Sequence, residues 1–234
     1  MTRVAPLLAL ALMFGYAPSA DAQIRRMLGL DAPSGRGFFM IGVQQMDLAE
    51  LNDRFDAADY PESDDLFLTL GGGGFMLRDR LVIGGEGHGV IGSSETTGDG
   101  AFRTRVGGGF GMIDIGYAVM ERRGLLVYPM LGVGMGGMMV SINERSSPDF
   151  DDVLDQPRRG VNLVQGQFLL SAGLGIDHVF ASRGRGGFAV GIRAGWTFTP
   201  IEHEWSFGSS DVADGPKAGF TGPYVRVNVG GGRR

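Results

Sequence analysis

Residues of chemically active types are sparse in this chain of 234 residues, which has no cysteine and three histidines. Disulfides, thiolate metal sites and cysteine nucleophiles are therefore excluded. Glu86 and His88 lie two apart, so in a strand they share one face. His88 could meet Asp114 from the neighbouring segment, and with Ser171 this offers the parts of a hydrolytic triad. Ser171, however, lies three segments beyond His88, across a barrel at best, and no catalytic residue is assigned. Glu202-His203-Glu204 looks like a metal site until strand geometry is applied. Adjacent side chains face opposite ways, so only Glu202 and Glu204 share a side, and a loop charge cluster is the better account. The runs Gly71–Gly74 and Gly107–Gly109 invite a phosphate loop, but no helical period follows either run to supply an anion-binding N-terminus. They are expected to mark bends or bulges that would reset the side-chain parity of the fourth strand. No metal or cofactor is expected.

The remaining charged candidates stand singly in apolar surroundings. Counted from the segment ends, Glu86, His88, Asp114, Asp177, Arg193 and Arg226 fall at similar heights, and Gln44 and Asn228 join them. A carboxylate isolated in a dry interior would be costly, so clustering with arginine is the expected remedy. The expected product is an ion-pair cluster plugging a narrow lumen. A gated path for a small solute is the functional alternative.

The elements that must position these residues are strands. Eight apolar-alternating segments follow one another: Gly37–Met46, Leu66–Leu77, Leu81–Ile91, Phe102–Val119, Leu125–Ile142, Val161–Phe180, Gly187–Pro200 and Lys217–Gly230. In the seventh, Phe188, Val190, Ile192, Ala194, Trp196 and Phe198 fall on one face, and Ala189, Gly191, Arg193, Gly195, Thr197 and Thr199 on the other. The sixth repeats the pattern, with Leu169 as an apolar exception on its small, polar face. Gly, Ser and Thr with isolated charges suit a crowded interior better than a water-washed exterior. The 42 glycines sit among Val, Leu, Phe and Met, which argues against disordered low-complexity sequence. Long and short connections alternate along the chain: 47–65, 78–80, 92–101, 120–124, 143–160, 181–186 and 201–216. The first long one is acidic (Asp47, Glu50, Asp53, Asp56, Asp59, Glu62, Asp64, Asp65). The short ones are basic (Arg78, Arg80; Arg122, Arg123; Arg183, Arg185). Leu48, Leu51 and Phe55 recur at helical spacing and predict a short helix packed on a rim.

At the N-terminus, Arg3, the apolar run Pro6–Tyr16 and Ala20-Asp21-Ala22 form the three parts of a secretory signal peptide over 1–22. A tether over 23–35 and a barrel domain over 36–234 follow. The net charge of −5 and the absence of a basic aromatic stripe give nucleic-acid binding no footing.

This pattern resembles the small eight-stranded bacterial outer-membrane β-barrels over residues 37–230, where Phe220-Thr-Gly-Pro-Tyr-Val-Arg-Val-Asn-Val229 is similar to a closing strand. The resemblance is architectural. It implies an all-β, antiparallel, up-and-down transmembrane barrel in the cell outer membrane, with long extracellular loops and a short helix in the first. Such barrels usually end on an aromatic residue, whereas this chain ends Gly-Gly-Gly-Arg-Arg, which leaves Tyr224 and Val229 as candidates for an internal assembly signal. The expected role is structural or surface interaction, as a monomer embedded in outer-membrane lipid, with an extracellular partner at the acidic loops. Alternatives are a small-solute channel, an enzyme that modifies lipid A acyl chains, and a soluble periplasmic ligand-binding barrel.

Overall fold

The computed structural model describes residues 34–97, 102–144, 151, 160–181 and 186–232. The expected signal peptide and most of the tether, Arg183 and Arg185, and much of the connection 143–160 lie outside the described residues. In chain order the elements are β1 (Ser34–Gln45), α1 (Ala49–Asp56), β2 (Leu66–Arg78), β3 (Leu81–Thr96), β4 (Phe102–Tyr117), β5 (Met120–Arg122), β6 (Leu125–Glu144), β7 (Gly160–Ala181), β8 (Gly187–Glu202), β9 (Trp205–Phe207), β10 (Ser210–Val212) and β11 (Gly222–Gly232). Eight long strands pair antiparallel, each with its neighbour in sequence. The pairing of β1 with β11, from Arg36↔Gly232 to Gln44↔Tyr224, closes the ring. Closure leaves the long strands no unpaired edge around the wall. No helix among the described residues is long and apolar enough to cross a membrane.

Alternation explains the wall. In β8 the side chains of Phe188, Ile192, Trp196 and Phe198 are exposed, while Ala189, Gly191, Arg193 and Thr197 are buried. In β7 the outward set is Leu170, Ala172, Leu174 and Ile176, and Leu169 is fully buried inside. These facings follow the two-residue period.

Several boundaries differ from expectation. Ser34 and Gly35, assigned to the tether, already pair with Leu77 and Met76 of β2. The first half of the connection expected at 92–101 is strand, because β3 continues to Thr96 after a one-residue register shift between Ile91 and Ser94. The glycine runs do not interrupt the ladders. Gly71–Gly74 and Gly107–Gly109 keep unbroken register with both neighbours, and side-chain parity in β4 is unchanged. Their inward members instead make room for the lumen contents: a Cβ on Gly71 would strike His88, and one on Gly73 would strike Glu86. The second irregularity lies between β7 and β8, opposite Phe168–Leu170, where the extra residues of β8 include Pro200. A proline has no ladder N–H to lose there.

The interior holds two apolar clusters. One contains Phe38, Met40, Phe75, Leu77, Val82, Leu126 and Tyr128. The other joins the outer ends of the strands to the first and last long connections and contains Met46, Leu48, Leu51, Phe55, Phe67, Phe110, Leu169, Trp205 and Phe220. The expected helix is present as α1, and its apolar face supplies Leu51 and Phe55 to this second cluster. Around it the two connections are stitched together. Asp47 and Gly219 exchange backbone hydrogen bonds, the Lys217 N–H donates to Glu50 Oε2 at 2.9 Å, and Gln44 Nε2 donates to the Phe220 carbonyl at 3.0 Å.

The outward face of β8 generates a test. Ile192→Arg puts a charge in the middle of the apolar wall and should cost about 2–4 kcal/mol. Asn143→Arg, exposed near the outer end of β6, should cost about 0–1 kcal/mol. Folding titrations in lipid vesicles measure both, and equal costs would refute the placing of Ile192 at mid-depth in the wall.

Candidate functional site in the barrel lumen

Between the two apolar clusters lies an ionic layer. Among the described residues three buried carboxylates, Glu86, Asp114 and Asp177, share the lumen with three buried guanidiniums, Arg36, Arg193 and Arg226. Each is carried inward by strand parity, from β1, β3, β4, β7, β8 and β11. The densest point is Glu86. Its Oε1 accepts from Arg226 Nη1 at 2.6 Å and its Oε2 accepts from Arg193 Nη1 at 2.7 Å. Charge-assisted pairs of this length are the strong class of hydrogen bond. Arg226 Nη2 also donates to Gln44 Oε1 at 3.0 Å.

A second focus surrounds Asp177. Tyr128 OH donates to its Oδ2 at 2.9 Å, Asn228 Nδ2 donates to its Oδ1 at 3.4 Å, and Arg36 Nη1 lies 3.7 Å from Oδ2. Tyr128 joins the two foci, since its hydroxyl oxygen accepts from Arg193 Nε at 3.2 Å. Asp114 is held more loosely. Arg193 Nη1 is 3.9 Å away, and neither Asp114 oxygen finds a hydrogen-bond donor.

Aromatic faces do the work of solvent around the cations. Arg226 lies 4.0 Å over the Tyr224 ring and 5.2 Å over Phe110. Arg193 lies 5.8 Å from the ring centres of Phe38 and Phe75. Guanidinium over a ring is favourable and gains strength where water is absent. Because Phe110 belongs to one apolar cluster and Phe38 and Phe75 to the other, these contacts fasten the ionic layer to both.

Glu86, Arg193 and Arg226 form one focus and Asp177 anchors another, with Asp114 at the edge of the first. His88 does not meet Asp114. Its Nε2 lies 3.4 Å from Glu86 Oε1 and its ring stacks on Phe110 at 5.1 Å. The register is the reason: His88 is opposite Phe110, whereas Asp114 is opposite Gly84, lower in the sheet. His88 and Ser171 are both buried inside the barrel, so neither reaches a membrane-facing rim. His203 is exposed in the last connection, 3.3 Å from the Gly166 carbonyl oxygen, and among the described residues no three His, Asp or Glu side chains converge as a metal site requires. Tyr224 points inward beneath Arg226 and is buried, while Val229 faces outward.

Six participants are absent from the expected set: Arg36, Tyr128, Tyr224, Phe38, Phe75 and Phe110. Arg36 carried a readable signal, since it shares parity with Phe38 and Met40, which are buried on the same face. Tyr128 likewise shares parity with Leu126 and Met130. The small residues opposite them complete the fit. A Cβ on Gly191 would overlap Asp177, and one on Gly175 would overlap the Tyr128 ring.

Apolar side chains outside and ion pairs inside reverse the polarity of a water-soluble barrel. This arrangement defines an eight-stranded transmembrane β-barrel, with the architecture of the small outer-membrane barrels. No family model matches the chain, and no curated protein matches it in sequence. Among solved structures it is similar to the crystal structure of Ail, the attachment invasion locus protein of Yersinia pestis. That match has 9% sequence identity and a TM-score of 0.40, and covers 86% of this chain and 95% of that chain.

The network yields a double-mutant prediction. Arg193→Met leaves Glu86 with one guanidinium and Asp114 with none, and should destabilise the barrel by about 3–5 kcal/mol. Glu86→Gln combined with Arg193→Met should cost less than the sum of the two single changes. Denaturant unfolding from vesicles measures all three variants, and strict additivity would separate Glu86 from Arg193 energetically.

Proposed function

We propose that this chain is an outer-membrane barrel protein with a structural or surface-interaction role, a plugged lumen and no catalytic activity. The observation that carries this reading is the filled interior. An eight-stranded barrel is just wide enough for side chains to fill, and here the ionic layer is closed on one side by Phe38, Phe75 and Leu126 and on the other by Phe110, Phe220 and the apolar face of α1. A channel would need a continuous polar path past both clusters. The enclosure of His88 and Ser171 speaks in the same way for a non-enzymatic role.

The outer end supports surface interaction. Leu51 and Phe55 anchor α1, while Glu50, Asp53, Asp56, Asp59, Glu62, Asp64 and Asp65 remain exposed. A fixed acidic surface costs little ordering entropy when a basic partner binds. With both chain ends on the periplasmic side, this surface faces outward, and the barrel works as a monomer whose wall meets only lipid.

Two measurements test this reading. In planar bilayers the full mature chain should show no sustained ionic conductance, and steady ohmic steps would remove the plug in favour of the small-solute channel. Protease added to intact cells should cut within 55–65 and spare the turns at Arg78–Arg80 and Arg122–Arg123, because a long exposed connection offers a protease more accessible chain than a tight turn between paired strands. Cleavage confined to cells with an opened envelope would contradict the outward placing of α1.

A further inference from the structure

The lumen makes no use of the basic turns at the end of the barrel opposite α1. The β2–β3 turn carries Arg78 and Arg80 around Asp79, whose φ of 56° lets the chain reverse at once. The β4–β6 connection carries Arg122, the last residue of β5, and Arg123 just beyond it. These turns are neighbours in space, because Leu81 pairs with Tyr117 and the Ala118 N–H donates to the Arg80 carbonyl at 2.7 Å. Four guanidiniums therefore gather under one sector of the wall. All are exposed, and none pairs with a carboxylate among the described residues. Asp79 and Glu121 are the acidic residues of the two turns, so the sector stays net positive.

Immediately above them the wall is apolar. Leu81 and Tyr117 are exposed, and the consecutive Val119 and Met120 are 55% and 50% exposed. Val119 lies at the bend between β4 and β5 and Met120 opens β5, so two more apolar side chains reach the surface within a few residues of the arginines.

We propose that these two turns form a docking surface for the anionic phosphate headgroups of phospholipids in the adjoining leaflet. The inference rests on the membrane-barrel reading above. Arginine stems lie along apolar surface while the heads reach water, and the planar guanidinium grips phosphate through two donors at once. Tyr117 belongs at the same boundary, with its ring in the apolar layer and its hydroxyl among the headgroups. Charge complementarity selects an anionic lipid over a zwitterionic one.

The test uses the full mature chain folded into phosphatidylcholine vesicles containing a minor share of spin-labelled phosphatidylglycerol. The motionally restricted lipid should favour phosphatidylglycerol over phosphatidylcholine by about threefold or more, and added salt should reduce this preference. R78Q/R80Q/R122Q/R123Q should abolish it. R103Q/R105Q, altering two exposed arginines on β4 toward the opposite end, should retain most of it. Selectivity that is missing from the wild type, survives the fourfold change, or disappears with R103Q/R105Q overturns the proposal. Heat-modifiable migration reports folding of every sample. Should the fourfold variant not fold, R78Q/R80Q and R122Q/R123Q must each lose part of the preference. A wild-type chain with neither heat modification nor restricted lipid would overturn the membrane-barrel reading itself, and this inference with it.

Discussion

The structure turns on one carboxylate held between two guanidiniums. Glu86, on β3, accepts hydrogen bonds from Arg193 on β8 and Arg226 on β11, so a single side chain ties together strands on different sides of the ring. Inside an apolar-walled tube such a charge has few other partners, His88 Nε2 at 3.4 Å among them. Taking it out of water is costly, and the cost is offset only while both arginines, their aromatic faces and Gln44 remain in place. That requirement explains much of the composition. Arg226, Glu86 and Tyr128 fit because the facing strands carry glycine, and this accounts for the inward glycines Gly42, Gly73 and Gly175.

Given that centre, the remaining interior is apolar for a simple reason. Charges without partners cannot be distributed through a dry lumen, so the levels on either side are filled with Leu, Met, Phe and Val. The resulting interior runs from an apolar level through the ionic layer to a second apolar level. α1 extends this packing past the strand ends, because Leu48, Leu51 and Phe55 fall on the side of the helix that meets Phe67 and Phe220. The helix needs no side-chain N-cap, since burial of one face holds it in place.

Much of this was legible in the sequence, for physical reasons. The period of two in β7 and β8 fixes inside and outside wherever one face is apolar, and the i, i+3, i+7 spacing of Leu48, Leu51 and Phe55 announces a helix. The grouping of the lumen charges was less legible, because partners across a barrel depend on register. His88 and Asp114 sit on adjacent strands and face the same way, yet their pairing positions differ by four residues along β3. Residue type cannot reveal that offset. Glycine was ambiguous too: a run that could mark a bulge is also what a straight strand needs beside a bulky neighbour. Of the two irregularities, the one at Ile91–Ser94 begins beside Gly107, the end of a glycine run, and the one opposite Phe168–Leu170 has no such run. Arg36 was placed just before the first strand segment, although its parity with Phe38 and Met40 pointed it inward.

The seam between β1 and β11 joins segments from opposite ends of the chain. Gln44 reaches Phe220 across 176 residues and Arg226 across 182. Hairpins between sequence neighbours can form at small entropic cost, but this joint must wait until the whole sheet has curled. Arg226, on the seam and itself bonded to Gln44, completes the shell around Glu86, so the buried charge gains its last ligand only in the closing event. An open sheet would hold Glu86 short of a partner, which makes the half-built barrel the unstable species and closure an all-or-none step.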